Sequence, residues 1–482
     1  MNKGLFFAGL IFLLMMTTSC FAIPTLPPPE STIIFAAPVT TSIPTASDPD
    51  KAIGLTETLK VEESATLSLP SLTFTREPTR TATLLSTDTP TISATQSPPS
   101  PTFTQEPTWT ATLMPTDPPP TPIQTKPPTK TQSLDQYNSY LQNVMRESIT
   151  IMWETPYNPL GSKLRYRRLG EMIWTEKFFS EEKTIHEIPI EGLIPNTTYE
   201  YQVSLDGRSQ WRPTRPAVFS TAPDTNHTFR AAVYGDSRTE YEVHREVVKS
   251  MLKNEPDILL HTGDLVTYGR KYADWWEQFF RPLADLIAHI PFYPTLGNHE
   301  YSGSGKMWYY DLFSLPGNEQ WYAFTYGCSR FILLDSNVDF SPGSSQYSWL
   351  IKELDSPGYG NSQWQIVLFH HPPYTSGGHL GDERPIADYL VPLFQEHEVD
   401  MVFSGHNHHY ERSFKDGIYY IVSGGGGAPL YGFPNKSENI FSQVRIANYH
   451  HTTLDFHCSD DYLEFNVWDN SLNLIDGPII LK

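Results

Sequence analysis

Three textures of apolar and polar positions follow one another along the chain. After Lys3 an apolar run extends from Leu5 to Met16 and gives way to Thr17, Thr18, Ser19 and Cys20. The run is far short of the roughly 20 apolar residues that a bilayer core requires, so it predicts a secretion signal over residues 1–20, with an uncleaved anchor as the alternative. From about Ala22 to Ser133, Thr, Pro and Ser dominate and no period of 2 or 3.6 persists. Such a stretch cannot bury enough surface to offset the entropy of ordering, which predicts an extended, disordered linker over 21–133. Within it, FTREPTRTATLLSTD (Phe74 to Asp88) returns as FTQEPTWTATLMPTD (Phe103 to Asp117), a duplicated stalk segment.

At about Tyr137 the pattern turns to short alternating runs: ESITIMWET from Glu147, LRYRRL from Leu164 and TTYEYQVSL from Thr197. Aromatic and β-branched residues at period 2, broken by turn residues such as Pro195 and Asn196, predict an all-β sandwich over 137–223 with Trp153 in its core. Beyond Phe229 apolar runs end in polar residues: RAAVYGD, DILLHTGD, PFYPTLGNHE, QWQIVLFHHPP and DMVFSGHNH, with helical stretches such as VHREVVKSMLKN and RPIADYLVPLFQEH between several of them. That order predicts an α/β domain over 229–482 with its chemistry at the carboxyl ends of the strands.

Composition narrows the picture. The 42 prolines among 482 residues are too many for uniform packing, and the linker takes the surplus. A net charge of -20 argues against nucleic acid as a partner. A substrate phosphate must then be drawn in by local cations, metal ions above all. Apart from Cys20 there are only Cys328 and Cys458, both in apparent strands, which leaves open one disulfide in an exported setting or buried thiols. Cys20 stands where a bacterial lipoprotein signal resembling this one carries its acylated cysteine, although Thr17 occupies the usual leucine position. Membrane attachment through lipidated Cys20 and ordinary cleavage near Ala22, with release, are the two outcomes of export.

Five strand ends supply Asp236, Asp264, Asn298 with His299, His370, and His406 with His408. Carboxylates, a carboxamide and imidazoles without thiolates suit iron, manganese or zinc, and a two-metal hydrolytic centre is the economical reading. GDSR at Gly235, GDLVTY at Gly263, GNHE at Gly297, HHPPY at His370 and GHNHHYER at Gly405 resemble, in order and spacing, the metallophosphoesterase (calcineurin-like) superfamily and its purple acid phosphatases. YLQN at Tyr140 and LIPNTTYEYQV at Leu193 are similar to that family's fibronectin-like N-terminal domain. The resemblance implies a four-layer α/β fold, a β-sandwich flanked by helices, behind the fibronectin-like sandwich.

It further implies two metal ions bridged by Asp264, one held by Asp236 and His408 and the other by Asn298, His370 and His406. His299 would face the phosphate, and His379 or His299 would protonate the leaving oxygen, His379 being otherwise an exposed loop residue. His371 and His409 would flank ligands without being ligands. The implied reaction is hydrolysis of a phosphate monoester on a phosphorylated small molecule or polymer, a diester or nucleotide being the alternative and a non-catalytic surface-binding protein a further one.

Two departures stand out. The family's iron-binding tyrosine falls three residues after the bridging Asp, where this chain has Thr267, with Tyr268 one residue late. Alternation along an extended segment would turn Tyr268 away, which predicts a colourless centre. Arg238 replaces a histidine common in the wider superfamily and is read either as a phosphate-binding fork or as a structural ion pair. GGGGA at Gly424 lacks the context of a nucleotide loop and is read as a turn close behind the site.

Overall fold

In a computed structural model the described residues are 139–482, apart from positions 156, 158–160, 181–182, 380 and 382. The signal over 1–20, Cys20, the linker over 21–133 and the first residues of the sandwich lie outside them.

Two antiparallel sheets open the described chain. One joins Tyr140–Gln142, Ser148–Glu154 and Ile185–Glu191; the other joins, in spatial order, Thr175–Phe179, Ser162–Arg168, Thr198–Ser204 and Trp211–Ser220. Strict alternation along Ile185–Glu191 turns His186, Ile188 and Ile190 inward and leaves Glu187, Pro189 and Glu191 outside. Trp153 is fully buried and stacks on His186 at 4.8 Å. The sandwich is tied to the following region by Tyr140, whose hydroxyl donates to the Leu312 carbonyl (2.7 Å), and by Tyr293, whose hydroxyl donates to the Val144 carbonyl (2.9 Å).

The α/β region holds two further sheets. One has six strands in the order Phe292–Pro294, Ile258–His261, Phe229–Tyr234, His450–His457, Tyr462–Asp469 and Leu474–Leu481. The other has seven: Tyr322–Tyr326, Ser329–Leu333, Trp364–Leu368, Met401–Ser404, Ile418–Ser423, Tyr410–Lys415 and Ser442–Ile446. Period 2 sorts the second sheet's residues into two cores. Phe331, Leu333, Ile366, Leu368, Met401 and Phe403 face the first sheet, while Ile332, Val367 and Val402 face helices through Leu350, Leu354, Ile386 and Phe394. Rings meet between the sheets: Tyr293 stacks on Phe324 at 3.8 Å, Phe229 meets Tyr326 edge-on at 5.0 Å, and Phe331 meets Phe456 at 5.9 Å. On the outer face of the six-stranded sheet lies the helix Tyr241–Lys253, whose Ser250 hydroxyl donates to the Asp469 carbonyl at 2.9 Å.

Cys328 and Cys458 form a disulfide. Neither lies within a strand: Cys328 sits in the turn between Tyr322–Tyr326 and Ser329–Leu333, and Cys458 just past His450–His457. The apolar pattern runs on through these turns because each is buried against the other sheet, so the bridge staples the two sheets together.

Candidate metal centre

Parallel pairing brings the ligand-type residues to one edge. The strands Phe229–Tyr234, Ile258–His261 and Phe292–Pro294 run parallel in one sheet, as do Trp364–Leu368 and Met401–Ser404 in the other. Asp236, Asp264, Asn298, His370, His406 and His408 each follow one of these strands within a few residues. Asp236, Asp264 and His406 adopt left-handed backbone, with φ of 56°, 59° and 67°, a cost that structures tend to carry at functional sites. The glycines before two of the motifs are required sterically. A Cβ at Gly297 would lie 2.2 Å from Asp264 Oδ1, and one at Gly405 would lie 2.3 Å from Asp236 Oδ2.

On one side of Asp264 four donor atoms converge. His370 Nδ1 lies 2.8 Å from the Thr262 carbonyl, which can only accept, so this nitrogen carries the proton and Nε2 presents a lone pair. That Nε2 is 3.2 Å from Asn298 Oδ1, 3.3 Å from His406 Nδ1 and 3.4 Å from Asp264 Oδ1. Tetrahedral ligands at roughly 2.1 Å from a common ion stand about 3.4 Å apart, so this spacing fits a metal. Burial holds both His370 and His406 well below the usual histidine range, which keeps them in the neutral, ligating form.

The other side is differently filled. His408 Nδ1 lies 2.7 Å from the Pro429 carbonyl, which again leaves Nε2 with a lone pair, 3.4 Å from Asp236 Oδ1. Into this space comes the guanidinium of Arg238. Its Nη2 is 3.3 Å from His408 Nε2 and its Nε 3.2 Å from Asp264 Oδ2, while Nη1 reaches Thr239 Oγ1 at 3.4 Å. Burial pushes the Asp236 carboxyl up to about 6, against the opposing pull of His408 and Arg238. The Arg238 side chain is 13% exposed and Asp264 1%, so this ion pair is largely out of water.

Around the centre, His299 donates Nδ1–H to the Thr267 carbonyl at 2.8 Å and holds Nε2 3.8 Å from Asp264 Oδ2. His379 is exposed, with its ring 4.4 Å from that of His406 and 5.4 Å from that of Tyr431. The Thr267 hydroxyl donates to Gln278 Oε1 at 2.9 Å, and Tyr268 is 48% exposed. His371 Nδ1 pairs with the Ser336 hydroxyl at 2.8 Å, and His409 Nε2 lies 3.6 Å from Glu411. Gly424 passes directly behind the site, where a Cβ would lie 3.0 Å from Asp236 Oδ2.

Sequence reasoning overlooked two carboxylates. Glu300 is fully buried and accepts from the backbone N–H groups of Gly297 (2.7 Å), Asp264 (2.9 Å), Leu265 (2.9 Å) and Val266 (3.3 Å), fixing the loop that carries Asp264. The signal was present, an acid closing GNHE. Glu411 accepts from the Ser376 N–H (2.7 Å) and hydroxyl (2.6 Å) and so clamps the loop leading to His379. Burial raises its pKa, but hydrogen bonds from His409 and Ser376 outweigh that and hold it at about 2.

The calcineurin-like phosphoesterase family matches residues 229–410, and the N-terminal domain of purple acid phosphatases matches residues 134–219. An Arabidopsis thaliana protein named "Probable purple acid phosphatase 20" is 29% identical over 60% of this chain and 74% of its own length. Another, "Probable inactive purple acid phosphatase 1", is 25% identical over 53% of this chain, which spans only 51% of it. In fold the chain is similar to a purple acid phosphatase from yellow lupin (Lupinus luteus) seeds, with a TM-score of 0.62, 21% identity, and coverage of 71% of this chain and 73% of that one.

Proposed function

Since the chain is a phosphatase by family, carrying a calcineurin-like metallophosphoesterase domain behind a purple acid phosphatase N-terminal domain, we propose that it hydrolyses phosphate monoesters outside the cytoplasm. The observation that carries this reading is the approach of His370 Nε2 to Asn298 Oδ1, His406 Nδ1 and Asp264 Oδ1, within 3.2–3.4 Å. Manganese, zinc or iron would be held there by these four residues, supplying Lewis-acid stabilisation of phosphate oxygens and a water of lowered pKa.

The remaining residues act on the substrate. His299, its Nδ1–H committed to the Thr267 carbonyl, has Nε2 available toward a phosphate or leaving oxygen. His379 stands at the rim beside His406, where a leaving alkoxide would depart, and is the second candidate for proton donor. A guanidinium has five N–H donors, more than Asp264, His408, Thr239 and Tyr431 take up, so Arg238 can also hold a phosphate oxygen. Export, with or without attachment through Cys20, is supported by the Cys328–Cys458 disulfide, which persists in oxidising compartments.

The test compares turnover of p-nitrophenyl phosphate, bis-p-nitrophenyl phosphate and ATP by metal-loaded protein, before and after chelation. Monoester hydrolysis is expected to dominate and to vanish with the metal. Faster turnover of the diester or of ATP would assign the site to that chemistry instead. No turnover of any of the three would place the chain with its inactive-named relative.

A further inference from the structure

Asp264 sends its two carboxylate oxygens in opposite directions. Oδ1 faces His370 Nε2 at 3.4 Å, the side where donor atoms converge at ligand spacing. Oδ2 faces Arg238 Nε at 3.2 Å. On that second side two of the atoms a metal would need, Asp264 Oδ2 and His408 Nε2, are already met by a cation. Nη2 of Arg238 meets the lone pair of His408 Nε2 at 3.3 Å, and Asp236, the other carboxylate there, is 3.4 Å from the same His408 nitrogen. Among the described residues, the neighbouring loop brings no further ligand. Thr267 is turned to Gln278, and Tyr268 is 48% exposed. His408 also stacks on Tyr431 at 4.1 Å, which fixes the imidazole that the guanidinium meets.

We propose that Arg238 stands in for one cation of the dimetal centre, so that this phosphatase works with a single metal ion beside a fixed guanidinium. The residues on the Asn298 side fit an ion; Asp236 also stands with Asp264 and His370, their ligand atoms within 4.8 Å of one another, but an ion using Asp264 Oδ2 and His408 Nε2 must displace Arg238 from both. A guanidinium is charged at every working pH, needs no uptake from the medium, and can offer paired N–H donors to a phosphate. It cannot lower the pKa of a water as a metal does, so the two sides of Asp264 carry different parts of the chemistry.

This inference rests on the metal-dependent reading above, and one experiment separates the two. Purified full-length protein is stripped, titrated with manganese(II) by calorimetry, and examined by electron paramagnetic resonance beside Arg238→His and Arg238→Ala. The wild type is expected to take up one equivalent, with a six-line signal accounting for all of it. Arg238→His should take up two, with signal lost to coupling between neighbouring ions, and Arg238→Ala should gain a second, weaker equivalent if the histidine variant fails to fold. Two equivalents of similar affinity in the wild type would overturn the proposal while leaving metal dependence intact. So would a single equivalent in every folded variant. No uptake by the wild type would overturn the metal-dependent reading itself.

Discussion

On one side of Asp264, three residues from three strand ends bring donor atoms to within 3.2–3.4 Å of His370 Nε2; on the other, residues of the same chemical types meet an arginine. Asp236 and His408 are as deeply buried as His370, and each follows a strand of the same kind. The difference lies in what arrives second. Where neutral donors converge beside Asp264 Oδ1, the donor set would suit a metal ion, as proposed above. Where a guanidinium arrives on the chain itself, the same carboxylate is already paired. Ligand types at the right strand ends therefore define a place for positive charge, and a neighbouring side chain decides whether the charge is imported or built in.

The largest effect that sharpens this contrast is expected from His406→Ala or Asn298→Ala. Each removes a donor at a loop rather than a core contact, so metal uptake should collapse and kcat/KM fall by at least about 100-fold with the fold intact. Near wild-type turnover by a folded variant would break the assignment of that side. His408→Ala should act more mildly, about tenfold in kcat, because it releases Arg238 rather than an ion. Its manganese content, read by elemental analysis, should stay at the wild-type value, and loss of the metal would place His408 among the ligands. Glu411→Gln weakens a clamp behind the His379 loop without touching either side of Asp264. It should lower kcat a few-fold with KM and metal content unchanged, whereas a loss of metal would show that the clamp serves the centre directly. Smallest of all is Tyr268→Phe. With the ring 48% exposed, activity should not change, and the iron-loaded protein in air should be colourless with or without the substitution. A visible band that vanishes in the variant would make Tyr268 a ligand.

Much of this was legible because the signals are local. An apolar run that ends in GD, GNH, HH or GHNH announces both a strand and what waits at its end, and parallel pairing then gathers those ends without further instruction. The one-residue displacement of Tyr268 was legible only against the family pattern that the motifs resemble, and the ring is 48% exposed. What could not be read depends on distances between segments far apart in the chain. Arg238 admitted a phosphate-binding role or an ion pair, and only the packing of the Asp264 and His408 loops beside it shows where its guanidinium goes. Glu300 was in view inside GNHE, yet its four partners include three N–H groups from the loop after Gly263. Cys328 and Cys458 read as strand residues because burial continued through their turns; their pairing spans 130 residues and needs the two sheets stacked.

Whether Arg238 replaces an ion is decided by an anomalous difference map from crystals of the manganese-loaded wild-type protein, recorded at the metal's absorption edge. One peak is expected, among Asp264 Oδ1, Asn298 Oδ1, His370 Nε2 and His406, with Arg238 still lying between Asp264 Oδ2 and His408 Nε2. Two peaks of comparable height flanking Asp264, with Arg238 displaced from His408, would contradict it.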